Sequence, residues 1–236
     1  MRREKMTSLT ENITFVKDKI EAAARRSGRK VEDITLVAVT KTVPVERIKE
    51  AVDLGIRDLG ENRVQELLSK QPAIENVNWH LIGHLQRNKV KKIWDSVSLI
   101  HSVDSIELAK ELNKRAMSAE SKVNILLEVN VAGEESKYGI SPEEVVPMAR
   151  ELSGWTGLTV CGLMTVAPYV TDPEEVRPVF RKMASLKREV ESLNLPNVQM
   201  KYLSMGMSND FEIAIEEGSN LVRIGSAIFG ERTYLK

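Results

Sequence analysis

Strand-like and helix-like segments alternate along almost the whole chain, and this alternation narrows the choice of fold more than any other feature. Runs that read as strands lie at Thr35–Thr40, Asp58–Gly60, Trp79–Gly83, Ser98–Ser102, Asn124–Asn130, Thr159–Met164, Met200–Ser204 and Val222–Gly225. Helical stretches stand between them at Val45–Leu54, Val64–Gln71, Gln86–Trp94, Ser105–Ser118, Pro142–Leu152, Glu174–Leu193 and Asp210–Glu217. An opening helix runs from about Leu9 to Ser27, with Ile13, Val16, Ile20 and Ala24 on one face and Gly28 as its stop. Strands joined by helical crossovers pair in parallel, and eight right-handed units close into a barrel at about this length of 236 residues. An open doubly wound sheet would carry a glycine-rich turn after its first strand, where Lys41-Thr42-Val43-Pro44 stands instead. The expected architecture is α/β: a single (β/α)8 TIM-type barrel over residues 34–236, with an extra N-terminal helix in residues 1–30. With no linker, repeat or low-complexity tract to divide it, the chain reads as one domain over 1–236.

Charge removes several classes of function. The 34 lysines and arginines balance 34 aspartates and glutamates, so no net field draws in nucleic acid or an anionic membrane. The longest apolar runs fall far short of a membrane span, and the charged stretch Met1 to Glu11 lacks the apolar core of a signal peptide. Cys161, the single cysteine, sits in an apolar run and reads as a small buried hydrophobe rather than a reactive thiol. The three histidines read as unclustered, which argues against a metal site. A soluble, cytoplasmic protein of a reducing compartment is expected.

In a barrel, the residues after each strand form one ring. Here the ring reads Lys41, Gly60-Glu61-Asn62, Gly83-His84-Leu85-Gln86, Ser102-Val103-Asp104, Asn130-Val131-Ala132-Gly133, Met164-Thr165, Ser204-Met205-Gly206-Met207-Ser208 and Arg223-Ile224-Gly225-Ser226. Burial at an apolar mouth pushes a lysine such as Lys41 toward its neutral form, a nucleophile for aldehydes. A lysine snorkelling from a strand end into water is the ordinary alternative. Loops after strands seven and eight commonly hold phosphate in such barrels. Gly206 and Gly225 allow close backbone approach, Ser204, Ser208 and Ser226 offer hydroxyls, and the helices that follow aim N–H groups outward. Simple N-capping of the Asp210–Glu217 helix by Ser208 and Asn209 would use some of the same residues. Arg223 points to this mouth, where it would pair with phosphate, hold a ring nitrogen unprotonated, or form a salt bridge to Glu61 or Glu231. His84 and the basic Arg87, Lys89, Lys91 and Lys92 suggest anion contact, but a solvated basic helix face explains the lysines better. Glu61 and Glu66 read as ordinary helix-start acids, and Lys137 as an exposed loop charge or a guard of the mouth. An aldehyde-trapping lysine facing a phosphate cradle defines an aromatic aldehyde that carries a phosphate, which is pyridoxal 5′-phosphate (PLP).

Six segments carry a resemblance that spans residues 37 to 230. They are Val37-Ala38-Val39-Thr40-Lys41, Gly60-Glu61-Asn62-Arg63-Val64-Gln65-Glu66, Trp79-His80-Leu81-Ile82-Gly83-His84-Leu85-Gln86, Gly162-Leu163-Met164-Thr165, Ser204-Met205-Gly206-Met207-Ser208-Asn209-Asp210, and Arg223-Ile224-Gly225-Ser226-Ala227-Ile228-Phe229-Gly230. Together they resemble the pyridoxal phosphate homeostasis protein family, a single-domain barrel similar to the N-terminal domain of bacterial alanine racemase. The resemblance implies that Lys41 carries the cofactor as a Schiff base, and that Ser204, Met207, Ser208, Gly225 and Ser226 hold its phosphate. It implies that Arg223 faces the pyridine nitrogen, that Asn62 lies near the 3-oxygen, and that Met164 and His84 flank the ring.

Binding need not mean catalysis. A racemase needs an acid/base group on each face of the cofactor. Alanine racemase takes its second from a tyrosine of an additional β-domain, which this chain, ending at Lys236, is expected to lack. Tyr138, Tyr169, Tyr202 and Tyr234 do not clearly face Lys41, and an arginine at the ring nitrogen would weaken the electron sink. The expected role is therefore PLP homeostasis or delivery, without strong catalysis, by a monomer whose partners are PLP and PLP-dependent apo-enzymes. The alternatives are a slow PLP-dependent amino-acid racemase and a barrel enzyme acting on a phosphorylated metabolite.

Overall fold

The β-branched and leucine-rich runs pair as expected. In the computed structural model, which describes residues 8–134 and 136–230, β1 (Thr35–Val39), β2 (Asp58–Glu61), β3 (Asn78–Leu81), β4 (Leu99–Val103), β5 (Val123–Glu128), β6 (Leu158–Met164), β7 (Val198–Ser204) and β8 (Leu221–Ile224) form a closed barrel in sequence order. All neighbours are parallel, and β1 closes on β8 with Val37 opposite Arg223. Glu231 and Tyr234, named above, lie outside the described residues, as do residues 1–7 and Glu135.

Two apolar layers follow from the two-residue period of a strand. One layer lies between strands and helices. The other fills the barrel with Val37, Leu99, Leu126, Cys161, Met164 and Leu221. Counting in twos from these residues puts Lys41 beyond Val37 and Val39, His101 beyond Leu99, Glu128 beyond Leu126, and Arg223 beyond Leu221 on the inward face. Cys161 and Met164 both face inward despite their odd spacing, because the register of β6 shifts at Gly162. Gly162 has φ +150°, and a Cβ there would strike the Tyr202 carbonyl. Cys161 is the small buried hydrophobe that the sequence suggests.

The helices are α1 (Leu9–Arg26), α2 (Val45–Asp53), α3 (Val64–Lys70), α4 (Ile106–Ser118), α5 (Val145–Ser153), α6 (Arg177–Ser192), α7 (Phe211–Glu216) and α8 (Ser226–Phe229). A capping box starts α1, with Ser8 Oγ accepting from Glu11 N–H and Glu11 Oε2 from Ser8 N–H. This helix packs on α7 and α8: Lys19 and Arg26 pair with Glu212 and Glu216, and Asn12 Nδ2 donates to Ile228 O. The Gln86–Trp94 stretch is not an α-helix but a 3-10 turn, Arg87–Lys92. Its apolar anchors Val90 and Ile93 are fully buried three residues apart, which matches the 3-10 period. No helix among the described residues is long and apolar enough to cross a membrane.

Candidate functional site

Lys41 is half-buried at the end of β1, and the backbone beside it is strained. Thr42, a β-branched residue, has φ +64°, a conformation that costs about 1–3 kcal/mol. A buried network holds the turn in place. Lys70 Nζ donates to Thr40 O at 2.8 Å, Glu61 Oε1 at 2.7 Å and Glu66 Oε1 at 2.6 Å, which uses all three of its donors. Glu66 Oε1 also accepts from Thr42 N–H at 2.6 Å, and Glu61 Oε1 from Thr40 Oγ1 at 2.7 Å. Burial raises the Glu61 carboxyl against the hydrogen bonds from Lys70 and Thr40. It also pushes Glu66 upward, but there the Lys70 and Thr42 hydrogen bonds outweigh it and the net shift is downward. Glu61 and Glu66 are thus not mere helix-start acids. They meet on a lysine that the sequence reading passed over, because a lysine at a helix end looks solvated.

The loops after β7 and β8 bring the proposed phosphate residues together. Gly206 has φ +94°, and a Cβ there would stand 2.6 Å from Ala214 Cβ and 2.9 Å from Phe211 Cα. Ser208 Oγ accepts from Ala227 N–H at 3.3 Å, tying the first loop to the start of α8 beside Gly225 and Ser226. Neither Ser208 nor Asn209 caps α7, contrary to the capping alternative. Asp210 occupies the N-cap position, its Oδ1 accepts from Met207 N–H at 2.6 Å, and Asn209 Nδ2 turns to Val170 O. Burial raises the Asp210 carboxyl against that hydrogen bond and against the charge of Arg223.

Beneath the loops, Arg223 is 3% exposed. Its Nη1 donates to Ser204 Oγ at 2.5 Å and its Nη2 to Thr165 O at 2.8 Å. The alternative of a salt bridge to Glu61 does not occur, since that carboxylate belongs to Lys70. Burial lowers the guanidinium to about 10, with Glu128 and Asp210 opposing. Ser204 is fully buried, and its hydroxyl lies between Arg223 and His101, so it is committed inside the barrel. Met164 lies beside this region in the inner apolar cluster.

Two findings revise the sequence reading further. The histidines are not unclustered: His80 Nδ1 stands 2.9 Å from His101 Nε2, because neighbouring strands bring two inward positions together. Among the described residues, however, no group of three or more His, Cys, Asp or Glu could hold a metal. Glu128, unremarked in its apolar strand, is 8% exposed, and its buried Oε2 has no hydrogen-bond partner among the described residues. Burial raises this carboxyl to about 7, Asp104 adds to the shift and Arg223 opposes it. The one sequence signal was a lone acid among inward-facing apolar residues.

At the rim, Asn62 is half-buried after β2. His84 Nδ1 meets Asp104 Oδ2 at 3.0 Å, and its ring stacks on Tyr138 with centroids 3.8 Å apart at an interplanar angle of 10°. Lys137 is not simply an exposed charge: its Nζ binds Glu134 Oε1 at 2.6 Å and Val166 O at 3.4 Å. A cleft of about 860 Å³ lies on the flank between Arg87 and Lys114 rather than at this mouth, and charged residues of both signs line it. The mouth, with its lysine, buried arginine, orphan carboxyl and glycine-turned loops, carries the denser chemistry.

A lysine and a pair of glycine-containing loops at the C-terminal mouth of a parallel barrel define a class, and comparison with known proteins names the family. Residues 16–233 match the alanine racemase, N-terminal domain. The pyridoxal phosphate homeostasis protein of Aquifex aeolicus is 45% identical over 226 residues, covering 95% of this chain and 98% of that protein. Its counterpart in Escherichia coli (strain K12) is 38% identical over 98% of this chain and 100% of that one. The chain belongs to the pyridoxal phosphate homeostasis protein family, built on the alanine racemase N-terminal domain. Among solved structures, PipY of Synechococcus elongatus PCC7942 with PLP bound aligns with TM-score 0.82 at 30% identity, over 94% of this chain and 100% of that one. Alanine racemase of Corynebacterium glutamicum, at 15% identity and TM-score 0.65 over 93% of this chain and 62% of that one, shares the fold.

Proposed function

We propose that this protein binds pyridoxal 5′-phosphate at the barrel mouth, as a Schiff base on Lys41, and serves cytoplasmic PLP homeostasis by buffering the cofactor and handing it to PLP-dependent apo-enzymes. The observation that carries this reading is the placing of Lys41, on a braced and strained turn, at the same mouth as the Gly206 and Gly225 loops. When bound, PLP supplies an aldehyde that condenses with amines and a ring that accepts electrons. Met207, Ser208, Gly225 and Ser226 would hold the phosphate through backbone N–H groups and hydroxyls, whereas the Ser204 hydroxyl is taken by Arg223 and His101. Arg223 would face the pyridine nitrogen, Asn62 the 3-oxygen, and Met164 and His84 the ring.

The residues present fit such a ligand. The buried Oε2 of Glu128 lacks a hydrogen-bond partner among the described residues, and the buried guanidinium retains its charge at neutral pH. A charged arginine at the ring nitrogen disfavours its protonation, which supports holding over turnover. A second reading, slow amino-acid racemase activity, draws on Glu128: β5 lies opposite β1 in the closed barrel, and its carboxyl titrates near neutrality. Borohydride reduction of the PLP-loaded protein followed by peptide mass analysis tests the main reading. A pyridoxyl adduct on Lys41 is expected; an adduct on another lysine alone, or none, rejects it.

A further inference from the structure

A chain of hydrogen bonds crosses the barrel interior from β2 to β8, and its donors and acceptors run only one way. Asp58 Oδ1 meets His80 Nε2 at 3.1 Å, and His80 Nδ1 meets His101 Nε2 at 2.9 Å. His101 Nδ1 meets Ser204 Oγ at 3.0 Å, and Ser204 Oγ meets Arg223 Nη1 at 2.5 Å. Guanidinium nitrogens have no lone pair to offer, so Ser204 must accept from Arg223. Its single hydroxyl hydrogen then goes to His101 Nδ1. That nitrogen being an acceptor, the hydrogen of neutral His101 sits on Nε2 and goes to His80 Nδ1. His80 in turn carries its hydrogen on Nε2 and gives it to the Asp58 carboxylate, which also takes a hydrogen bond from Asn78 Nδ2 at 3.0 Å. Working from the carboxylate end yields the same assignment.

Reversal is unfavourable. A protonated His80 would donate from both nitrogens, forcing His101 to donate from Nδ1 to Ser204. The Ser204 hydrogen would then lose its acceptor inside a fully buried site, at a cost of the order of 1–3 kcal/mol. It would also add a positive charge on the side of Arg223. Burial, His80 and Arg223 all hold the His101 imidazole well below its ordinary range.

We propose that Asp58, His80 and His101 are positioning residues for Arg223: a polarised, one-way chain that keeps the Ser204 lone pairs on the guanidinium and so fixes it as a charged, oriented group under the mouth. Glu128 and Asp210 also face Arg223, and to these the chain adds a neutral acceptor, Ser204 Oγ, held on the guanidinium. The consequence for PLP rests on the function proposed above; the chain itself does not.

The test uses the ¹⁵N-labelled full chain and long-range ¹H–¹⁵N correlation of its three histidines, assigned with single His→Gln variants. Both His80 and His101 are expected as neutral Nε2–H tautomers at pH 7. Protonation of either, or an Nδ1–H tautomer, overturns the proposal. Asp58→Asn, at the far end of the chain, is expected to disturb the His101 signals as well as those of His80 and to weaken PLP binding by about tenfold, as loss of a supporting outer contact does elsewhere, with Asp58→Glu restoring both. A merely structural Asp58 would leave His101 as in the wild type, and that result overturns the chain. Altered tautomers with unchanged PLP affinity overturn the positioning role. If the wild type shows the expected tautomers but binds no PLP, the cofactor reading falls and the chain stands.

Discussion

Lys70 illustrates how one side chain decides the geometry of another. It carries no ligand in the proposed reading, yet it grips the carbonyl before Lys41 and the carboxylate that grips the amide after it. Removing the ammonium leaves Glu61 buried without its cation and Thr42 without its braced partner. Lys70→Met is expected to destabilise the fold by about 3–5 kcal/mol, read as a lower urea midpoint; a change below 1 kcal/mol would mean the pair is dispensable. At this scale the sequence exposed Lys41 because a lysine ends an apolar strand. It concealed Lys70, Glu128 and the histidine pair, because nothing in a one-dimensional pattern separates a buried polar residue with a partner from a solvated one. His80 and His101 lie 21 residues apart and become neighbours only across a strand pair.

Elements were more legible than contacts. The strand periods and crossovers that predicted a barrel survive closely, since parallel pairing demands apolar strands and helical returns whatever the side-chain detail. The Arg87–Lys92 segment failed as an α-helix because two burial anchors three residues apart outweighed helix propensity. In the loop after β7 a conformation that side chains oppose is marked by glycine, at Gly206, whereas the strained turn at Thr42 carries no such mark. Gly206→Ala is expected to destabilise the protein by more than about 1 kcal/mol and to weaken PLP binding, because φ is positive and the methyl would press on Ala214 and Phe211. Equilibrium unfolding and cofactor titration would check it, and a variant with wild-type values in both would show that the loop has room to give.

Over the whole molecule, burial of ionisable groups should appear in the pH dependence of stability. Burial raises Glu128 from 4.5 to about 7, so between those values the folded state holds more protons than the unfolded one. Its contribution is present in full below about 4.5 and is lost as pH rises through about 7, a change of about 3 kcal/mol at most. Glu61, also raised, acts in the same direction, while the lowered His101 acts oppositely, losing stability as pH falls below its ordinary range. Comparison with Glu128→Gln isolates the one group. Between pH 5 and pH 8 the wild type is expected to lose about 1–3 kcal/mol relative to the variant in urea unfolding, and a constant difference would remove the assignment. The sequence by itself determined the barrel, the strand end that carries Lys41 and the glycine-serine loops after β7 and β8, because periodicity, turn chemistry and strand position are local properties of a chain. Only the tertiary structure decided which polar groups are buried together: the Lys70 clamp, the orphan Glu128 and the chain from Asp58 to Arg223. Those depend on which strands become neighbours and on how far water is excluded between them, and both are settled only when the barrel closes.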